Sequence, residues 1–254
     1  MVIAFFDSGI GGLTVLKHAM RELPSYDFLY YADTKNAPYG VKTRENVREH
    51  VFAAVDFIAK HDIQALVVAC NTATAVAITD LRHKYKFHIV GMEPAVKPAV
   101  IENSGKNILV LATSLTLKAG KLESLIAAVD KNNKTVKMEM DALVGFAESL
   151  DFNSGHVQKY IQDKLRALRL AEYETIVLGC THFIYYKSII REIVGDEIKI
   201  IDGNIGTVAN LKKVLSGLGV QNNKNGGHVL LYSSGIKDDK NREIKLMKLI
   251  TTDF

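Results

Sequence analysis

Short runs of β-branched and aromatic residues alternate along this chain with longer stretches in which apolar side chains recur every three or four positions. The short runs predict strands at 2–6, 27–31, 65–69, 88–91, 107–111, 135–139, 174–178, 198–201 and 228–232. The longer stretches predict helices at 12–22, 44–60, 72–85, 94–103, 116–129, 154–170, 184–193 and 205–217. Most of the strand runs are apolar throughout, as strands covered on both faces require. Strands separated by helices predict an α/β fold built on open parallel sheets. Polar turns are expected at Asn132–Asn133 and over 221–227 (QNNKNGG).

The pattern repeats itself once. ALVVACNTATA (65–75) and TIVLGCTHFIY (175–185) share one plan: strand, small residue, cysteine, polar residues, helix. Two such units predict two similar α/β domains facing each other across a cleft. The expected division is 1–93 plus 206–254 for the first and 94–205 for the second, with the C-terminal segment rejoining the first.

Composition narrows the class. The chain has 254 residues, 48% hydrophobic and 24% charged, which is an ordinary globular mixture able to bury a core without disulfides or a structural metal. No apolar stretch reaches membrane-spanning length, and the N-terminal residues lack the basic start of a signal peptide, so a cytoplasmic location is expected. The net charge of +4 is spread along the chain instead of being concentrated on one stretch, so a nucleic acid is not the expected partner. The only cysteines, Cys70 and Cys180, lack CxxC partners and are read as free thiols.

In open parallel sheets, ligands bind beyond the carboxyl ends of the strands. The residues expected there are Asp7–Ser8, Asp33 with Tyr39–Gly40, Cys70–Asn71–Thr72, Glu93, Thr113–Ser114, Cys180–Thr181–His182 and Asp202. Both thiols cap apolar runs instead of lying within them. A helix N-terminus favours an anion, so that setting, helped by Thr72, Thr181 or a charged His182, is expected to lower a thiol toward neutrality. Each cysteine is then a candidate base or nucleophile. The glycines of DSGIGGLTV (7–15) suit either an anion cradle or a tight strand-to-helix turn; they match neither a dinucleotide fingerprint nor a Walker loop. His182 is the one histidine among the candidates. Cys180 and His182 alone fall short of a metal-ligand set, so no metal is expected.

Two thiols on opposite sides of one carbon are what racemisation without a cofactor requires: one removes the α-proton and the other delivers a proton to the opposite face. A cysteine hydrolase using Cys180 and His182 and a non-catalytic amino-acid-binding module remain as alternatives from other classes.

The motifs FDSGIGGLTV (6–15), ADTKNAPYG (32–40), VVACNTATA (67–75), MEPAVKPA (92–99), LATSLTLK (111–118) and LGCTHF (178–183) make the chain resemble the glutamate racemases of the aspartate/glutamate racemase superfamily over nearly its whole length. The resemblance implies interconversion of L- and D-glutamate without cofactor or metal, feeding D-glutamate to peptidoglycan synthesis, and often a homodimer. It implies Cys70 as the base acting on the D-enantiomer and Cys180 on the L-enantiomer. Asp7 and His182 are implied as their polar partners, with Glu148 as a further carboxylate near the second thiol. Ser8, Tyr39, Gly40, Asn71, Thr72, Thr116, Thr181 and His182 fall where the family contacts its substrate, and Asp7 stands beside them. Asn36, Leu115, Ile184 and Gly203 depart from the family's common Arg, Gly, Pro and Ser.

Overall fold

The computed structural model describes residues 2–218 and 227–252. The turn expected over 221–227 therefore lies outside the described residues except for Gly227. In chain order the elements are β1 (Val2–Asp7), α1 (Leu13–Glu22), β2 (Asp27–Ala32), α2 (Arg44–Ile58), β3 (Ile63–Val68), α3 (Asn71–Lys84), β4 (His88–Gly91), α4 (Val96–Ile101), β5 (Asn107–Ala112), α5 (Ser114–Lys118) and α6 (Lys121–Val129). They continue as β6 (Thr135–Glu139), α7 (Ala142–Glu148), α8 (Gly155–Arg166), β7 (Tyr173–Leu178), α9 (Lys187–Val194), β8 (Lys199–Asp202), α10 (Asn204–Gly217), β9 (Val229–Ser233), β10 (Ile236–Lys237) and α11 (Lys240–Thr251).

Two sheets result, as the repeated strand–cysteine–helix plan predicts. The first runs β10-β9-β2-β1-β3-β4 and is parallel except for the terminal β9–β10 hairpin. The second runs β6-β5-β7-β8 and is parallel throughout. The C-terminal strand β9 pairs with β2, and α10 packs on α1 and β4, so chain beyond β8 returns to the first sheet.

Alternation along β1 explains how the sheets are covered. Ala4 and Phe6 face a cluster under α2 and α3 with Val51, Val55, Ile58 and Leu81. Ile3 and Phe5 face a second cluster that runs on into the other sheet, through Leu109, Leu111, Ile176 and Phe183. Apolar contact thus joins the two sheets continuously.

Several predicted elements shift. The helix expected at 94–103 shrinks to Val96–Ile101. The one expected at 116–129 breaks into α5 and α6 at Gly120, whose φ of +81° ends one helix and admits the next. The segment expected to be helical from 184 is first a 3-10 turn, Thr181–Tyr186, and only then α9. α7 and α11 were not predicted. α7 has seven residues, too few for a period to register, and α11 buries only Leu246 and Ile250 from a lysine-rich segment. Among the described residues no helix is long and apolar enough to cross a membrane.

Candidate active site

The central strands β1, β3 and β7 end together where the sheets meet. Asp7 closes β1 with no exposure at all. Its Oδ1 accepts from Gly9 N–H (3.0 Å) and its Oδ2 from the Thr181 hydroxyl (3.1 Å), a contact from the first sheet to the second. Burial pushes the Asp7 carboxyl up to about 6, against the pull of nearby His182 and the Gly9 hydrogen bond.

Cys70 follows β3 and is the N-cap of α3. Its Sγ accepts from Ala73 N–H at 3.4 Å, and its S–H is directed at the Ser8 hydroxyl at 3.7 Å. The helix terminus does not lower this thiol. Burial, then the charge of Asp7, pushes Cys70 up to about 12, and the Ala73 hydrogen bond offsets only part of that. The charge of Cys180 adds a smaller push in the same direction.

Cys180 follows β7 by two residues. A 3-10 turn comes next instead of an α-helix, so its setting differs from that of Cys70. Its neighbour is a side chain: Sγ lies 3.7 Å from His182 Nδ1. The other ring nitrogen, Nε2, lies 2.7 Å from Glu148 Oε1, which also accepts from Ile10 N–H at 2.7 Å. Burial alone would keep the imidazole neutral. The hydrogen bonds to Cys180 and Glu148 and their charges outweigh it, so His182 is held protonated well above the ordinary histidine range. Glu148, at the end of the unpredicted α7, is thus brought to the second thiol through His182.

The glycine loop between β1 and α1 is occupied by the protein's own carboxylates. Its Gly9 and Ile10 amides go to Asp7 and Glu148. A Cβ on Gly9 would lie 1.8 Å from Glu148 Oε1, and one on Gly11 would lie 2.4 Å from Thr181 Oγ1. Close packing is the reason for these glycines. Two tyrosines that the pattern left in the core hold the loop from below: Tyr30 donates to Gly9 C=O (2.6 Å) and Tyr185 to Ile10 C=O (2.8 Å). The only hint in the sequence is a phenol in otherwise apolar segments.

Thr72 and Thr181 were expected beside the sulfurs, but their hydroxyls bond elsewhere. Thr72, Thr113 and Thr116 form a buried triad with oxygens 2.9–3.0 Å apart, spanning the two sheets. Thr181 serves Asp7. Asn71 donates to Met92 Sδ (3.3 Å), while its buried Oδ1 has no partner in the protein. Tyr39 and Gly40 form a short 3-10 turn docked on Thr113, where a Cβ on Gly40 would come within 2.5 Å of the threonine Cβ. Of the other strand-end acids, Glu93 pairs with Lys121 (2.7 Å), and Asp202 accepts from Asn204 N–H (2.9 Å). Neither belongs to the thiol cluster. Gly203 lets the second crossing between the sheets pass the first, since a Cβ there would meet Glu93 C=O at 2.8 Å. Among the described residues no group of three or more His, Cys, Asp or Glu side chains is arranged to hold a metal ion.

Chemically, the arrangement is two thiols with a separate acid–base partner for each: a buried carboxyl near Cys70, and a protonated imidazole backed by a carboxylate at Cys180. Comparison with known proteins bears on what such a site does. The model of the Asp/Glu/hydantoin racemase family matches residues 14–211. The chain belongs to that family. It is a racemase, an isomerase, as the motifs led one to expect. The chain is 48% identical to the glutamate racemase of Halothermothrix orenii over 241 residues, covering 94% of this chain and 95% of that one. Glutamate racemase 2 of Bacillus subtilis is 45% identical over 239 residues, 93% and 90% of the two chains. Among solved structures, Escherichia coli glutamate racemase in complex with L-glutamate and the activator UDP-MurNAc-ala superposes with a TM-score of 0.84 at 26% identity, covering 98% of this chain and 94% of that one. The Bacillus anthracis isoform RacE1 gives 0.80 at 28% identity, covering 91% and 86%.

Proposed function

We propose that this racemase interconverts L- and D-glutamate by two-base proton transfer between Cys70 and Cys180, supplying D-glutamate for peptidoglycan synthesis in the cytoplasm. The observation that supports the mechanism is that each thiol caps a central strand with its own ionisable partner at hand, Asp7 for Cys70 and the His182–Glu148 pair for Cys180, and that the Thr181–Asp7 hydrogen bond joins the two sides in one buried polar cluster. We take 1–93 with 206–254 as one domain and 94–205 as the other, with the substrate between them.

Glutamate enters as a zwitterion with a second carboxylate. Its ammonium suits Asp7 and Ser8, and its carboxylates suit Asn71, the threonine hydroxyls and the Tyr39–Gly40 amides. For the D-enantiomer, Cys70 passes its proton toward Asp7 and takes the α-proton; Cys180 delivers a proton to the opposite face. For the L-enantiomer, Cys180 acts as base with His182 and Glu148 behind it. Bringing a cationic ammonium beside Cys70 opposes the burial that keeps this thiol protonated, so substrate binding itself makes the base. The carbanion is stabilised by a water-excluding site rich in donors. A hydrolase built on Cys180, His182 and Glu148 would leave Cys70 and Asp7 without a task.

The test is incubation of the purified protein with L-glutamate in D₂O, following α-deuteration by NMR and rotation by polarimetry, with Cys70→Ser and Cys180→Ser alongside. Deuteration with inversion is expected in the wild type, and loss of racemisation in each variant. Unchanged racemisation in either variant refutes the two-base assignment.

A further inference from the structure

The buried carboxylate of Asp33, just past β2, has no part in the reaction described above, yet it gathers three donor side chains from two segments. Both oxygens accept from Asn36 Nδ2 (3.1 and 3.0 Å), Oδ2 accepts from the Tyr39 hydroxyl (2.7 Å), and Oδ1 accepts from the Ser234 hydroxyl (3.1 Å). These partners are all neutral, and Asn36 stands where the resemblance puts an arginine. Ser234 accepts in turn from Lys35 N–H (3.0 Å), which leaves its single proton for Asp33. Ser234 and Gly235 have φ of +47° and +82°, the left-handed pair that a two-residue hairpin between β9 and β10 requires. A serine at such a position is strained where glycine would not be. Glycine would remove that strain but would lose the hydroxyl.

On the other side, Tyr39 is buried, with its ring stacked on His50 (6.1 Å) and tilted against Phe6 (6.4 Å). Burial and the adjacent Asp33 charge keep its phenol protonated, so the O–H always donates. Gly40 is pressed against Thr113 from the second sheet. The loop is therefore gripped between Asp33 and the far side of the cleft.

We infer that Asp33 is a positioning residue: its carboxylate, clamped by Ser234 of the C-terminal hairpin and by Asn36, fixes the Tyr39–Gly40 turn against which a substrate carboxylate binds. This rests on the reading of Tyr39 and Gly40 as substrate contacts. Hydrogen bonds to one carboxylate hold the end of β2, the following loop and the C-terminal hairpin in register, and an amide in its place would set an N–H against existing donors.

The test combines hydrogen exchange on the ligand-free protein with steady-state racemisation, using Asp33→Asn, Ser234→Ala and Tyr39→Phe. In Asp33→Asn, exchange over residues 36–42 should accelerate while the β1 and β3 amides stay protected. KM for glutamate should rise about tenfold, with kcat falling less than about threefold. Tyr39→Phe should raise KM about threefold, and adding it to Asp33→Asn should change little, since both remove one interaction. If Asp33→Asn does not fold, Ser234→Ala decides: it keeps the carboxylate, and local exchange and KM should shift in the same direction by a smaller amount. Given a wild type that racemises glutamate, the inference is overturned by an unchanged KM in a folded Asp33→Asn, by a kcat loss as large as the KM rise, or by Ser234→Ala with KM and exchange over residues 36–42 both unchanged. A wild type that does not racemise glutamate would instead refute the reading beneath it, and the exchange result would still report whether Asp33 holds the turn.

Discussion

Burial pushes the Asp7 carboxyl from about 4 in an unfolded chain up to about 6, so folding is opposed once that group ionises. The native state holds this proton more tightly than the unfolded one. The contribution to stability is therefore complete below pH 4 and is lost as the pH rises through 6, a change of about 3 kcal/mol across that interval. Asn mimics the protonated acid without titrating. Asp7→Asn should match the wild type in thermal unfolding near pH 4 and exceed it by several degrees at pH 7.5, while racemisation falls at least about 100-fold. A Tm difference that does not change with pH would refute this account. Glu148 supports the opposite thiol through His182, so Glu148→Gln should lower kcat/KM about 100-fold. The loss must be equal in both directions, because enantiomers have an equilibrium constant of one; the measurement is initial rates from each pure enantiomer. His182 was legible as a partner of Cys180 because it sits two residues away on the same strand end. Its reach to Glu148 was not legible from spacing, because the link depends on where a short helix from another segment ends.

Glycines separate the elements that make the site from those that merely connect it. The loop after β1 has no room: Ala at Gly9 would drive its Cβ into Glu148 Oε1. Gly9→Ala should therefore abolish most racemisation with the fold retained, as read by circular dichroism and rates together. The glycine between α5 and α6 has a left-handed φ but empty space around it. Gly120→Ala should cost about 1 kcal/mol in denaturant unfolding and leave kcat/KM unchanged. Equal effects at the two positions would show that backbone strain, and not contact with Glu148, governs the loop. The strands were the most legible elements, since β1, β3, β5 and β7 are apolar on both faces and say so in the sequence. α7 and α11 were invisible for the opposite reason: one is too short and the other too polar to show a period.

At the scale of the whole molecule, two sheets are joined by an apolar cluster, by Asp7–Thr181, by Glu148 on the Ile10 amide, and by the threonine triad. A ligand gripped by groups from both sides stabilises the folded chain by mass action, about 2.7 kcal/mol at a hundred times Kd. Thermal unfolding with D-glutamate should rise by several degrees, with D-aspartate giving less, because the shorter acid cannot reach both sets of donors. Equal shifts for the two acids would argue against glutamate as the preferred ligand.

By itself, the order of apolar and polar residues determined the α/β class, the parallel strands, and the appearance of both cysteines at strand ends, since these follow from local periodicity and from where apolar runs stop. Tertiary structure alone decided the chemistry of those ends. The expected lowering of Cys70 gave way to a thiol pushed up by burial, and the glycine loop's amides went to Asp7 and Glu148 instead of to an outside anion. Protonation depends on which charges and dipoles surround a group after the chain has folded, and residues far apart in sequence supply them.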